Sequence, residues 1–190
     1  MNATHTAMME KARNTLSGNW LNGVIATLIY SVIVGAASTT YVLELIIAGP
    51  MLFGLVLYLM CLADTRVSNL DLLFKGFSRF VETLVAGLIY TLAVSIGMAL
   101  LIVPGIIAAC GFGMTFFIMA DDPNISGIDA LKLSWEMMDG HKWEFFCLNF
   151  RFILWILLAC LTCGIGFLWL IPYMMITQLY YYRQLRYRTY

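Results

Sequence analysis

Charged positions are sparse along the chain, and the gaps between them carry the pattern. Residues 14–43 hold no charge over 30 positions, 45–63 none over 19, 83–120 none over 38 and 152–182 none over 31. A helix of roughly 20 apolar residues crosses about 30 Å of hydrocarbon, so the 38-residue gap holds two helices once a break divides it, and the stretch 143–182 likewise. Val103-Pro104-Gly105 supplies one break and Thr162-Cys163-Gly164-Ile165-Gly166 the other. The pattern predicts six spans at about 20–37, 42–63, 82–101, 104–120, 143–161 and 166–182. Backbone groups in lipid must be satisfied within a segment, which makes the spans helices. Runs such as Leu100-Leu101-Ile102-Val103 do not alternate as the strands of a membrane barrel would.

The polar segments between spans have their own period. Ser68-Asn69-Leu70-Asp71 reads as a capped helix start, with Ser68 as cap, Asp71 reaching back and Val67 as staple onto Leu72. Leu70, Leu73, Phe74 and Phe77 then share one face and Asp71, Lys75 and Ser78 the other. Ser126-Gly127-Ile128-Asp129 repeats the device, with Ile128, Leu131, Trp135 and Met138 in one stripe. Met8, Ala12 and Leu16 form a weaker version. Such helices are expected to lie in the inner headgroup layer, with Trp135 at its boundary. Each ends at a glycine followed by an aromatic residue: Gly18 and Trp20, Gly76 and Phe80, Gly140 and Trp143. Each glycine precedes a proline, at Pro50, Pro104 and Pro172, by 32, 28 and 32 residues. The expected fold class is an all-α integral membrane protein, six transmembrane helices in three hairpins, each preceded by a cytoplasmic amphipathic helix. It forms a single transmembrane domain over 1–190, with repeats at 7–64, 68–120 and 126–183.

Composition sharpens this. Of the 190 residues, 62% are hydrophobic and 12% charged, against about 45–50% and 25% in ordinary soluble domains. That balance excludes a water-soluble enzyme and a disordered chain. Eleven basic and eleven acidic residues cancel, so no net field holds nucleic acid. Ten of the eleven basic residues fall on one side of the six-span scheme, and the turns near 38–41, 101–104 and 162–166 carry none. By the positive-inside rule both termini face the cytoplasm. Lys11 and Arg13 ahead of the first span, with Gly35-Ala36-Ala37-Ser38 after it, also fit a cleaved signal peptide, but the repeat requires that segment as a span.

No constellation of catalytic groups stands out, and no enzyme activity, cofactor or metal is expected. His141, beside Asp139 and Lys142, reads as a helix end rather than a base. Asp121-Asp122-Pro123-Asn124 reads as a turn before Ser126 rather than a metal pair. Cys160 and Cys163 have redox-pair spacing and read as small apolar residues, with a disulfide on an oxidising outer face as the alternative. Arg151 and Glu44 are costly inside spans and need a partner or a purpose. Arg151 lies about 12 Å along its helix at 1.5 Å per residue, and either snorkels to the headgroups or joins Asn149, Gln178 and Glu44 in a polar path. The interfacial anchors are Trp20, Trp135, Trp143, Arg183, Arg186 and Arg188. Gly105, Ala109 and Gly113 form a small-residue stripe suited to close helix contact, with another hairpin or with a second copy.

Gly140-His141-Lys142-Trp143 and the run Gly164-Ile165-Gly166-Phe167-Leu168-Trp169-Leu170-Ile171-Pro172-Tyr173 resemble the signature of a large family of bacterial multi-pass membrane proteins known only as a domain of unknown function. Ile102-Val103-Pro104-Gly105, Asp121-Asp122-Pro123-Asn124 and Gly18-Asn19-Trp20 extend the likeness over nearly the whole chain. The resemblance implies a bacterial plasma-membrane protein of about six helices and implies no reaction. The expected role is non-enzymatic, acting through lipid-interface helices or a membrane partner, which would be another membrane protein or a second copy. The alternative is a small transporter or channel with a polar path near Arg151.

Overall fold

The computed structural model describes residues 2–37, 41–162 and 164–189. All elements among them are helical: α1 Asn2–Leu16, α2 Trp20–Ala37, α3 Tyr41–Thr65, a 3₁₀ helix Leu70–Arg79, α4 Phe80–Leu100, α5 Ile102–Gly111, α6 Thr115–Asp121, α7 Gly127–Met137, α8 Lys142–Phe150, α9 Ile153–Leu161 and α10 Phe167–Thr189. Five stretches are long and apolar enough to cross a membrane: Trp20–Ala37, Glu44–Thr65, Leu70–Leu100, Ile102–Asp121 and Lys142–Leu161. The sixth expected span, 166–182, falls in α10 from Phe167 onward. That helix has the length, but Tyr173, Gln178, Tyr180, Tyr181, Tyr182 and Arg183 make it less apolar than the others.

The outer faces are apolar. Leu21, Ile25, Leu28 and Val32 of α2 are exposed at helical spacing, while Gly23, Ala26 and Thr27 of the same helix are buried. On α4 the exposed row is Leu88, Leu92 and Ile96, and the buried residues include Thr83, Ala86 and Gly87. Small and hydroxyl residues inside, with large apolar ones outside, reverse the arrangement of a soluble bundle and suit a lipid solvent. The chain is a membrane-embedded helical protein.

The central element is α3, whose Met51, Leu55, Tyr58 and Leu62 are fully buried. The 3₁₀ helix runs antiparallel beside it at backbone contact. A Cβ placed on Gly54 would stand 1.9 Å from the Leu73 carbonyl oxygen, and one on Gly76 would stand 1.8 Å from that of Pro50. The helix after it continues the contact, since a Cβ on Gly49 would meet the Thr83 carbonyl oxygen at 2.5 Å. The segment expected as a surface helix at Leu70–Phe77 is therefore docked along α3. Its 3₁₀ geometry stacks residues three apart, so Leu73 and Gly76 face inward while Phe74 and Phe77 are exposed. Its cap is Asn69, whose Oδ1 accepts from the Asp71 N–H at 3.1 Å, not Ser68.

The other two polar segments also dock. Met8, Ala12 and Leu16 form the buried face of α1, as their spacing predicts, and the Thr15 and Tyr180 hydroxyls lie 2.7 Å apart. Ser126 caps α7 through the Asp129 N–H at 3.1 Å, and its hydroxyl donates to the Asp129 carboxylate at 2.7 Å. The buried face of α7 is Gly127, Ala130, Leu131, Ser134 and Met137, so the expected stripe is rotated: Leu131 and Met138 are buried, but Ile128 and Trp135 are only part-covered, at 49% and 38% exposed. The physical reason is that the small residues Gly127 and Ala130 allow α7 to approach α4, where Glu82 accepts from the Gly127 N–H at 2.6 Å. Gly18 and Gly140 end their helices with φ of +88° and +73°, the left-handed cap anticipated for them. Gly76 serves the close approach to Pro50 instead.

Two of the spans are broken. The expected break at Val103-Pro104-Gly105 falls at Leu101, which is extended, and Pro104 occupies the first turn of α5, where no helical hydrogen bond is lost. The break between α5 and α6 covers Phe112–Met114, and that between α8 and α9 covers Arg151 and Phe152. The small-residue stripe is used within the chain: a Cβ on Gly97 would lie 2.8 Å from the Gly105 Cα, and one on Gly113 would lie 2.9 Å from the Phe145 ring.

Candidate functional site

Two of the four residues proposed for a polar path meet. The Gln178 amide on α10 donates to Asn149 Oδ1 at 2.8 Å, and Asn149 Nδ2 donates to the Phe145 carbonyl at 2.9 Å. Both side chains line a cavity of about 310 Å³ between α5, α8 and α10, whose walls include Tyr90, Phe112, Phe116 and Phe145. The break between α5 and α6 borders it at Phe112 and Gly113. The site is an aromatic chamber with one amide pair in its wall.

Arg151 and Glu44 do not join that pair on the cavity wall. Arg151 is half-buried at the break after α8, where the chain tightens and the Phe152 N–H bonds the Asn149 carbonyl three residues back at 3.0 Å. Glu44 stands in the first turn of α3, near Tyr30 of α2.

A second constellation collects the polar ends of several helices. Arg183 of α10 pairs with Asp64 at 2.6 Å, and Arg186 pairs with Asp121 at the end of α6. The Tyr182 hydroxyl donates to the same Asp121 carboxylate at 2.8 Å. Arg79 donates to the Ile125 carbonyl at 2.5 Å. The C-terminal ends of α3, α6 and the charged part of α10 are thereby tied together. A cavity of about 310 Å³ beside them is lined by Asp121, Asp122, Glu136, Asp139, His141 and Arg186. Asp122 accepts from the Asn124 N–H at 2.9 Å, the turn expected of that run. His141 Nδ1 faces Glu144 at 3.5 Å. Among the described residues no three His, Cys, Asp or Glu side chains are arranged to hold a metal ion.

The expected anchors divide. Trp143 is 68% exposed and stacks on Phe146 with centroids 5.4 Å apart. Trp20 is half-buried against Tyr173 at 6.4 Å. Trp135 packs on Phe112 at 5.1 Å and carries Lys142 Nζ over its ring at 3.7 Å. Arg183 and Arg186 bind carboxylates of the chain. The Arg188 side chain lies outside the described residues, as does Cys163, so the Cys160–Cys163 expectation falls outside them too.

The sequence reading missed Ser134, Arg79 and Glu82. Ser134 is fully buried, donates to the Gly111 carbonyl at 2.8 Å and accepts from the Met114 N–H at 3.2 Å, filling the break between α5 and α6. A serine on the small-residue face of an amphipathic segment was the available signal.

A model described as a family of unknown function, DUF5418, matches residues 2–121, and one described as a protein of unknown function, DUF975, matches residues 98–189. The chain belongs to the DUF5418 family. Its last half carries the similarity to DUF975, so the two matches overlap across α5 and α6. No curated protein and no solved structure matches the chain.

Proposed function

We propose that this DUF5418 member is a six-span plasma-membrane protein of bacteria with both termini in the cytoplasm. It has no catalytic activity and works through helices at the inner lipid interface, on the lipid itself or on a membrane partner. The observation that carries this reading is the charged cluster of Asp64, Asp121, Arg183 and Arg186, which draws the ends of α3, α6 and α10 to one place. If α10 crosses as the other stretches do, three helices reach that side together, and its basic residues mark it as cytoplasmic. Three parallel units of polar helix plus hairpin follow from the same scheme. Phe74 and Phe77 are the exposed apolar residues of the interface.

A fluorescent-protein fusion after residue 190 should be bright and a phosphatase fusion there inactive, with the opposite result for fusions near residue 101. A C-terminal phosphatase that is active overturns the topology. For the role, Phe74→Ser with Phe77→Ser should leave the protein inserted and abolish its effect on lipid order in reconstituted vesicles, or its co-purified membrane partner. An unchanged double variant rules out the interface.

A second reading is favoured by the aromatic chamber and its Asn149–Gln178 pair: a small transporter or channel, with broken helices at its border. Under it Asn149→Leu removes a flux while protein level holds.

A further inference from the structure

A separate groove lies on the other side of α9, and its chemistry names a ligand. Helix α9 and the break before it rest on α10 through Phe152, Ala159 and Leu170. The contact is closest where a Cβ on Gly166 would stand 2.8 Å from the Ala159 Cα. On the face turned toward α1 and the start of α2, the helices part and leave about 450 Å³. That volume is in the range of small-molecule sites, roughly 300–1,000 Å³. Its walls are Trp155, Leu158, Trp169 and Tyr173, and Trp20 stands beside Tyr173 at one end. The charge on its lining is Arg13, in the last turn of α1. Thr162 lines it as well, but its hydroxyl already donates to the Ala159 carbonyl at 2.8 Å and accepts from the Gly166 N–H at 3.0 Å.

We propose that this groove holds one anionic phospholipid, with its phosphate on the Arg13 guanidinium and an acyl chain along Trp155, Leu158 and Trp169. A polar solute would find too few hydrogen-bonding groups there, and a peptide backbone would be left unpaired along an apolar wall. A guanidinium at the mouth of an aromatic and aliphatic trough complements a molecule with one anionic end and a long hydrocarbon part. Trp20 and Tyr173 near Arg13 suit the level where headgroup meets chain. The inference deepens the lipid-interface reading above: it names the lipid class and the place in the fold.

The test uses the full chain in detergent micelles, with Trp135→Phe and Trp143→Phe, so that the remaining three of the five tryptophans all border the groove. Phosphatidylglycerol brominated on its acyl chains is titrated against phosphatidylcholine brominated in the same way. Quenching of tryptophan emission should occur at about fivefold lower phosphatidylglycerol, the preference one cation near the headgroups confers. Arg13→Gln should bring the two lipids to equality while phosphatidylcholine quenching is unchanged, and Arg13→Lys should restore the preference. Lys11→Gln, two positions away and off the groove, should retain it. Equal quenching by both lipids in the parent, or loss of preference in Lys11→Gln as large as in Arg13→Gln, overturns the proposal. A C-terminus found outside the cell with the Arg13-dependent preference intact would fell the topology and leave the groove standing.

Discussion

The Ser134 hydroxyl on α7 donates to the carbonyl of Gly111, the last residue of α5. With the Met114 N–H donating to the Ser134 hydroxyl oxygen, one side chain from a neighbouring helix satisfies both sides of an interrupted span. Non-helical backbone at membrane depth is tolerated where protein re-satisfies it in this way. Ser134→Ala strands a buried carbonyl and a buried N–H, so we expect a loss of about 1–3 kcal/mol. The folded fraction in a detergent-denaturation series should fall accordingly. A midpoint equal to that of the parent would show that the break needs no support.

Gly76→Ala tests whether the 3₁₀ helix is docked. Its new methyl would overlap the Pro50 carbonyl oxygen, and that atom is backbone, which cannot swing aside. The two segments must separate, so we expect more than about 3 kcal/mol of destabilisation and little accumulated protein. Gly35→Ala, whose added Cβ would meet no other described part of the chain within 4 Å, should be neutral or slightly stabilising. Similar expression of the two variants would mean that residues 70–79 stand off α3 as a surface helix.

The period of apolar residues and the gaps between charges show helices and most of their ends, because lipid demands long uncharged segments with internal hydrogen bonds. They also show the Ser126 cap and the buried face of α1. They miss the direction in which the polar segments turn. Leu70, Leu73, Phe74 and Phe77 share a face on an α-helix, but the 3₁₀ winding splits them, and Gly54 against Leu73 and Gly76 against Pro50 set the choice through contacts 19 and 26 residues apart in sequence. The breaks at Phe112 and Arg151 have no proline and are invisible to any local rule. The Asn149–Gln178 pair is legible because it spans two helices that a hairpin scheme already places side by side.

The charged cluster should contribute little to stability despite its position. The Arg183 side chain is 30% exposed and its partner Asp64 51%, so water screens the pair. Arg183→Gln is expected to cost at most about 1 kcal/mol. That cost should shrink as salt is raised. A coupling energy well above that in an Asp64→Asn, Arg183→Gln double-mutant cycle would show a far drier site than the exposures indicate.

The amide pair in the chamber wall makes a sharper prediction, because its two halves are not independent. Asn149→Leu leaves the Gln178 amide facing aromatic rings without its acceptor, and Gln178→Leu leaves Asn149 Oδ1 without its donor. Each single variant therefore loses the bond and also strands a polar group, while the double variant strands neither. We expect the single changes to be the more harmful per residue, with a coupling of about 0.6 kcal/mol and no more than about 1.7, as for hydrogen bonds between membrane helices. The double Leu variant should then fold nearly as well as the parent. If it does and a flux measured in vesicles survives in it, the pair is structural and the chamber is not a passage. If it folds and the flux is lost, the amides serve a solute, since stability would no longer explain the loss.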